Sequence, residues 1–491
     1  MGCTSVHSLS KGRPESLFLC CTVCIEQVAN ELQLKEFSSL KTVLIKPLLK
    51  KPTLDPEPLP NYRPISNLPF ICKLLEKVIS SQLHNHLKAN SLYEKVQSGF
   101  RPSHSTETAL IRVTSDLLMA SDSGSTSLLI LLDLSAAFDT IDHSILLHRL
   151  QHHIGLSGTA LHWFHSYLTD KTEYMALGDT KSRPHKVTCG VPQGSVLGPT
   201  LFTIYMLPLG CVVSRHGINF HCYADDTQLY LKISPSGPPS VTVTRLSSCL
   251  EEIEAWTSQN FLQLNGSKTE AIQTGTPQQL RSSPITSISL FGHNISLSPS
   301  VTNLGVKFDP LLSFDNHISH ICKTSFFHLR NISKLRPSLS LSAAEKLVHA
   351  FVSSRLDYCN ALLIGIPGRS IQKLQYVQNS AARVLMRVRK HEHITPILHT
   401  LHWLPVHHCL HGEAPTYLTE LLTPHTSART RSGQQHRLLQ PRTRLKTMGD
   451  RAFEAAAPRL WNALPDHLRA PQTVNAFKKG LKTYLFRKAF C

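Results

Sequence analysis

A chain of 491 residues, 41% of them hydrophobic, is long enough for about three domains with ordinary cores. Its formal net charge of +18, with 28 histidines besides, points to a polyanionic partner such as nucleic acid. No apolar run reaches the length of a membrane span, so no membrane partner is expected. The 13 cysteines are odd in number and scattered, which argues against a disulfide framework and for reduced thiols in a nuclear or cytoplasmic protein.

Residues 1–40 carry no motif. Cys21-Thr-Val-Cys24 is a lone CxxC without a second pair, too little for a zinc site. The apolar residues 16–25 behind Lys11 and Arg13 imitate a signal peptide but lack its length and cleavage site. From Val43 a short strand carrying Lys46, Lys50 and Lys51 leads into a proline-rich loop and a turn with Arg63. Phe70, Leu74, Leu75, Val78, Ile79 and Leu83 then fall at helical spacing, with Lys73, Glu76, Lys77 and Ser80 opposite, predicting an amphipathic packing helix. Residues 128–132 are an unbroken apolar run, which predicts a strand buried on both faces with Asp133 at its end. Asp139 and Asp142 sit near a helix start and read as caps. Two buried helix faces follow, through Leu146 and Leu150 and through Phe164 and Leu168.

Gly190-Val-Pro-Gln-Gly-Ser195 is a tight loop running into a helix, where two glycines and a proline allow close backbone approach to a ligand. Residues 217–233 alternate as a hairpin with Asp225 and Asp226 at its tip. Leu250, Ile253, Trp256 and Thr257 predict a helix ending near Asn260. Ile288–His293 and Asn303–Asp309 predict a further strand pair. From Ser313 the pattern is helical, and Arg383, Arg387 and Lys390 are expected on one face of its last helix.

Adjacent carboxylates repel each other unless a cation sits between them. Asp133 supplies a third acid, and three carboxylates at two strand ends suit two Mg²⁺ ions about 3.5–4 Å apart, with phosphate oxygens completing the shells. Mn²⁺ is a possible substitute. Asp133-x-x-x-x-Phe138, Gly190-Val-Pro-Gln-Gly-Ser195 and Tyr223-Ala-Asp-Asp226 stand in the order found in reverse transcriptases. The chain resembles those of non-LTR (LINE-type) retrotransposons, from about residue 41 to the end.

That resemblance implies roles. Asp133, Asp225 and Asp226 hold the metals, and Lys268, in Leu264-Asn-Gly-Ser-Lys-Thr-Glu270, assists the departing pyrophosphate. Lys51 and Arg63 clamp the incoming triphosphate, a task that suits the planar fork of arginine. Phe138 lies under the sugar and selects dNTPs. Gln193 and Gly194 lie beside template base and nucleotide, Tyr223 at the nucleotide site, and residues 288–309 form the primer grip. Arg101, Arg383, Arg387 and Lys390 meet nucleic-acid phosphates.

The fold expected is α+β, a right-hand polymerase with fingers and palm on an antiparallel sheet, a helical thumb and a basic C-terminal region. The divisions expected are 1–40, 41–310, 311–400 and 401–491. Near Val406 two family segments almost abut, as if a helix were deleted, and the His-rich joint His402–His411 reads as that junction. Arg429–Arg451 reads as a loose basic stretch, and helical patterning returns from Ala452. No segment resembles an endonuclease, RNase H or zinc knuckle, so a truncated copy is expected. Its partners would be an RNA template, a DNA primer and dNTPs. The alternative is a catalytically silent nucleic-acid-binding remnant.

Overall fold

The computed structural model describes residues 41–235, 239–282, 287–290, 293–406, 416–425, 436–470 and 473–490. The Cys21–Cys24 pair, most of the His-rich joint and Arg429 and Arg431 lie outside them. The chain forms two compact units from interleaved segments: residues up to 100 with 134–213 and 252–265, and residues 101–133, 214–251 and 266 onward.

In the first unit, Tyr62–Asn67 and Thr42–Leu49 pair antiparallel, with Pro47 opposite Pro64. Thr42–Leu49 then pairs in parallel with Thr172–Leu177. One parallel pair thus joins the antiparallel ladders of this unit. A parallel neighbour needs a long crossover, and more than a hundred intervening residues supply it. Lys50 and Lys51 fall just past the strand end at Leu49.

The helix Phe70–Ala89 forms as expected, but with its buried face turned. Phe70 is 78% exposed and Glu76 only 1%. Glu76 accepts a hydrogen bond from Tyr167 Oη at 2.8 Å and one from the Val196 backbone N–H. A buried carboxylate with such donors is retained inside, where an unpaired one would be strongly disfavoured. The lower part of the helix buries Ile79, Leu83 and Leu87.

The second unit centres on a four-stranded antiparallel sheet in the order Glu270–Thr274, Thr126–Leu132, Asp226–Ile233, Asn219–Tyr223. Thr126–Leu132 is central, and its apolar run is buried almost throughout. The helix Thr106–Asp122 contributes Leu110, Val113 and Leu117 to the same core, which continues into the helices Asp315–Leu335, Leu341–Val348 and Gly368–Met386. Ser105 opens the helix Thr106–Asp122 with a reciprocal cap to Thr108.

Residues 287–308 form two hairpins, Ser287–Leu290 with His293–Ser296 and Val301–Asn303 with Val306–Phe308, and not the single strand pair expected. The described part of the basic stretch is packed where looseness was expected. The Asp122 carboxylate accepts the backbone N–H groups of Arg444 and Leu445, and Arg451 donates to the carbonyls of Leu312, Ile364 and Thr447. Helices return at Phe453–Asn462 and Val474–Phe490. No helix among the described residues is long and apolar enough to cross a membrane.

Candidate active site

The sheet register of the second unit builds the site. Leu132 pairs with Thr227, so Asp133, the next residue, comes opposite Asp226. On its other side Leu131 pairs with Glu270, which brings Lys268 level with Asp133. Asp226 pairs in turn with Tyr223. Lys268, Asp133, Asp226 and Tyr223 thus make one row across the end of four strands, with Asp225 in the turn beside it. Lys268 Nζ lies 3.3 Å from Asp133 Oδ2 in a largely exposed ion pair.

Like charges directly opposite in a sheet destabilise it. The effect shows at Asp226, whose carboxyl is raised to about 6, first by the solvent that packing removes, then by Asp225 and Asp133. Asp226 as a residue is exposed. Its outer edge meets water while its carboxyl shares a crowded space with two other acids. The turn is also strained, with Ala224 at φ 59°.

The donor set is all carboxylate oxygen, the chemistry of a hard divalent cation, and the mutual repulsion of the acids is what such an ion would relieve. Among the described residues no group of three or more His, Cys, Asp or Glu is placed to hold a metal ion. Mg²⁺ typically draws only part of its shell from protein and the rest from water and substrate phosphates. The residues fit a cation completed by substrate.

The first unit carries the other predicted nucleotide-facing residues. Val191 N–H donates to Phe138 O at 2.9 Å, and Gly190 N–H to Ile141 O at 2.7 Å, which lays the Gly190–Ser195 loop along residues 138–141. A Cβ at Gly190 would stand 2.8 Å from Asp139 O, at a φ of +83°, so the turn requires glycine. Gly194, at φ +105°, packs against Ser66 O, and Ser66 N–H donates to Gln193 O at 2.7 Å. Phe138 stacks on Phe202 with ring centres 4.6 Å apart. Lys51 and Arg63 are both exposed, the latter on the strand Tyr62–Asn67.

Asp139 does not cap a helix. It accepts both hydrogen bonds from Gln193 Nε2, at 2.9 and 3.0 Å, while burial raises its carboxyl against the pull of that bond and of Lys50. Asp142 is the true cap of His143–His152. No local signal could show the Asp139–Gln193 pair, 54 residues apart. Both line a cleft of about 690 Å³ with Ser66, His143, Lys171 and Glu173.

The predicted phosphate-binding bases of the second unit are dispersed. The helix Gly368–Met386 ends before Arg387, which turns into the left-handed region as its C-cap, so Arg383, Arg387 and Lys390 do not share one helical face. Arg383 donates to Glu392 O, and Arg387 to the carbonyls of Arg336 and Pro337. Lys390 is exposed. Arg101 is half-buried, and its charge contributes to holding buried His221 at about 3, after burial itself, Arg112 and His104.

The register sets Lys268, Asp133, Asp226 and Tyr223 in one row at the sheet edge, with Asp225 in the turn beside them. Residues 49–308, more than half the chain, match the reverse transcriptase (RNA-dependent DNA polymerase) family, and the chain belongs to it. Among its relatives is the probable RNA-directed DNA polymerase from transposon BS of Drosophila melanogaster, 27% identical over 68% of this chain and 37% of that protein. The RNA-directed DNA polymerase from mobile element jockey of the same fly is 27% identical over 72% of this chain and 38% of that protein. The chain spans well under half the length of these relatives. A structure of Candida tropicalis telomerase with a fragment of telomeric RNA is 12% identical over 76% of this chain and 68% of that one, with a TM-score of 0.39. A likeness of that size adds nothing to the assignment.

Proposed function

We propose that this chain is an RNA-directed DNA polymerase that extends a DNA primer 3′-hydroxyl with dNTPs on an RNA template. The observation that carries the reading is the row Lys268–Asp133–Asp226–Tyr223 fixed by the sheet register. Asp133, Asp225 and Asp226 are the residues to hold two Mg²⁺ ions. Bound there, the ions would supply charge stabilisation at the transferring phosphate and lower the pKa of the attacking hydroxyl.

The chain's own groups do the rest. Lys268, at ion-pair distance from Asp133, is the cation to hold a proton for the departing pyrophosphate. Lys51 and Arg63 are exposed cations suited to a triphosphate. Phe138, fixed by its stack on Phe202, is the ring that would exclude a ribose 2′-hydroxyl, and Gln193 and Gly194 belong to the loop beside it. The +18 charge supports binding to template and primer phosphates, with Arg101, Arg383, Arg387 and Lys390 as candidate contacts. Free thiols at Cys189, Cys211, Cys322 and Cys359 support work in a reducing compartment, the nucleus or cytoplasm.

The test is primer extension by the purified 491-residue chain on poly(rA)/oligo(dT) with MgCl₂ and dTTP. Extension that vanishes on chelation is expected. A chain that binds the template–primer tightly but adds no nucleotide under Mg²⁺ or Mn²⁺ would sink the reading.

A further inference from the structure

The second unit holds an exposed aromatic ring that the polymerase motifs do not account for. Tyr358 is 41% exposed, in a short turn between the helices Ser354–Asp357 and Gly368–Met386. An exposed tyrosine is ordinary, but this one is held from both ends. Its successor Cys359 is buried at φ 53°, with Sγ 3.9 Å from Thr106 Oγ1. Three residues on, Ala361 N–H donates to Glu107 Oε1 at 3.0 Å. The turn is therefore pinned to the start of the helix Thr106–Asp122, which leads into the Asp133 strand.

At its other end Tyr358 Oη donates to Leu304 O at 2.6 Å. Leu304 and Gly305 form the tip of the Val301–Phe308 hairpin, and both have positive φ, 43° and 81°. A leucine in that region is strained and persists only where its surroundings dictate it. The Tyr358 hydroxyl takes the carbonyl at that strained position, and the ring packs over Gly305, where an added Cβ would meet it at 3.5 Å. The residue just before the tip is tied to the catalytic sheet, because Asn303 Nδ2 donates to Gln228 Oε1 at 2.8 Å between two buried residues. Burial raises the Tyr358 phenol, against a hydrogen bond with Thr106.

We infer that Tyr358 is a positioning residue for the primer terminus, fixing the tip of the Val301–Phe308 hairpin and offering its ring to the last primer nucleotide. This rests on the polymerase reading for the identity of its ligand. An aromatic face beside fixed backbone suits a nucleotide without regard to sequence, because every base and sugar has an apolar face to lay against it. The residue touches no reacting atom, and its effect is to hold the 3′-end where the row of carboxylates can act on it.

The experiment compares the full chain with Tyr358→Phe and Tyr358→Ala. It measures extension per active site, from burst amplitude, and template–primer affinity by anisotropy in EDTA. Tyr358→Phe keeps the ring and frees Leu304 O, so per-site extension should fall several-fold with affinity unchanged. Tyr358→Ala should also weaken template–primer binding about ten-fold, the loss of one stacking contact. A merely structural tyrosine would lower the burst amplitude and the melting temperature while leaving the per-site rate and affinity alone. That result, or both variants within two-fold of wild type, overturns the assignment. If the wild-type chain extends no primer, the polymerase reading fails, and the anisotropy arm decides for or against Tyr358 alone.

Discussion

The sheet edge that ends at Asp133 and the segment from Thr443 to Ala456 belong to one unit and handle polar groups in opposite ways. Along the C-terminal segment nearly every buried polar atom has a partner. Asp122 receives two backbone N–H groups, Arg451 reaches three carbonyls, and Phe453 N–H donates to Ser115 Oγ at 3.1 Å. At the sheet edge Lys268 pairs with Asp133, and Asp226 is pushed up to about 6 by burial and by its neighbours Asp225 and Asp133. Satisfied polar groups mark a part selected to hold together, while crowded acids mark a part selected to bind something absent from the protein alone.

The largest effect should come from the edge. Asp133→Asn or Asp225→Asn should lower dNTP incorporation on the order of a thousand-fold, about 4 kcal/mol of transition-state stabilisation, with template–primer affinity nearly intact. Asp226→Asn should act alike on activity and also raise the melting temperature at pH 7. The sign follows from the raised carboxyl: folding favours its protonated form, so its contribution is full below the ordinary carboxylate range and lost as pH rises through about 6. An amide carries no charge to repel. A mutant that melts lower and still polymerises would reverse the contrast.

A comparable loss, in stability, is expected at the satisfied segment. Two and a half ångströms or less would separate a Cβ at Gly449 from Asp122 Oδ1 and Cγ. Gly449→Ala must therefore displace the carboxylate that caps Arg444 and Leu445, at about 2–3 kcal/mol. Denaturant unfolding reads it directly. An unchanged midpoint would mean that the segment is a passive surface strap.

The pH dependence of the core gives a third test, of similar size. His317 is 5% exposed, and its ring is held down to about 4 by burial, then by His320 and Lys307. A histidine whose folded pKa is depressed supports the fold above its ordinary value near 6.5, and that support is lost as pH falls toward 4. The loss should approach about 3 kcal/mol below pH 4. In His317→Gln the fall in stability between pH 6.5 and 4 should be shallower by that amount. Equal slopes would show that the ring takes up its proton without unfolding anything.

The same contrast explains what could be read from the sequence. Asp133, Asp225 and Asp226 were legible because each follows from a local pattern, a buried apolar run that stops or a hairpin that turns. Register then did the rest, since a sheet edge aligns whatever its strands end in. Glu76 was placed on the wrong face because its donors, Tyr167 and Val196, lie some ninety and a hundred and twenty residues away. Arg383 and Arg387 seemed to share a face because helical spacing says nothing of where a helix stops, and Arg387 is the left-handed residue that stops it. The Asp122 cap on Arg444 spans 322 residues and leaves no trace in either neighbourhood. Periodicity reports burial of apolar groups, whereas polar satisfaction depends on partners that only the fold brings together.

The smallest effect, and the finest test of the contrast, lies at the turn itself. Ala224 is 6% exposed at φ 59°, between Tyr223 and the two acids. Replacing it with glycine removes a left-handed penalty of about 1–2 kcal/mol. It also gives up one buried methyl, about 0.8 kcal/mol, and the backbone entropy of glycine, about 0.5–1 kcal/mol. These terms nearly cancel, so the melting temperature of Ala224→Gly should stay within a degree or two of wild type. Activity should not stay level, because the turn that carries Asp225 would no longer be confined to one conformation, and a few-fold loss in extension rate is expected. Stability unchanged with activity reduced would show that the methyl at Ala224 serves the geometry of the acids and not the fold. A variant that melts several degrees higher at full activity would show instead that the strain has no part in placing them.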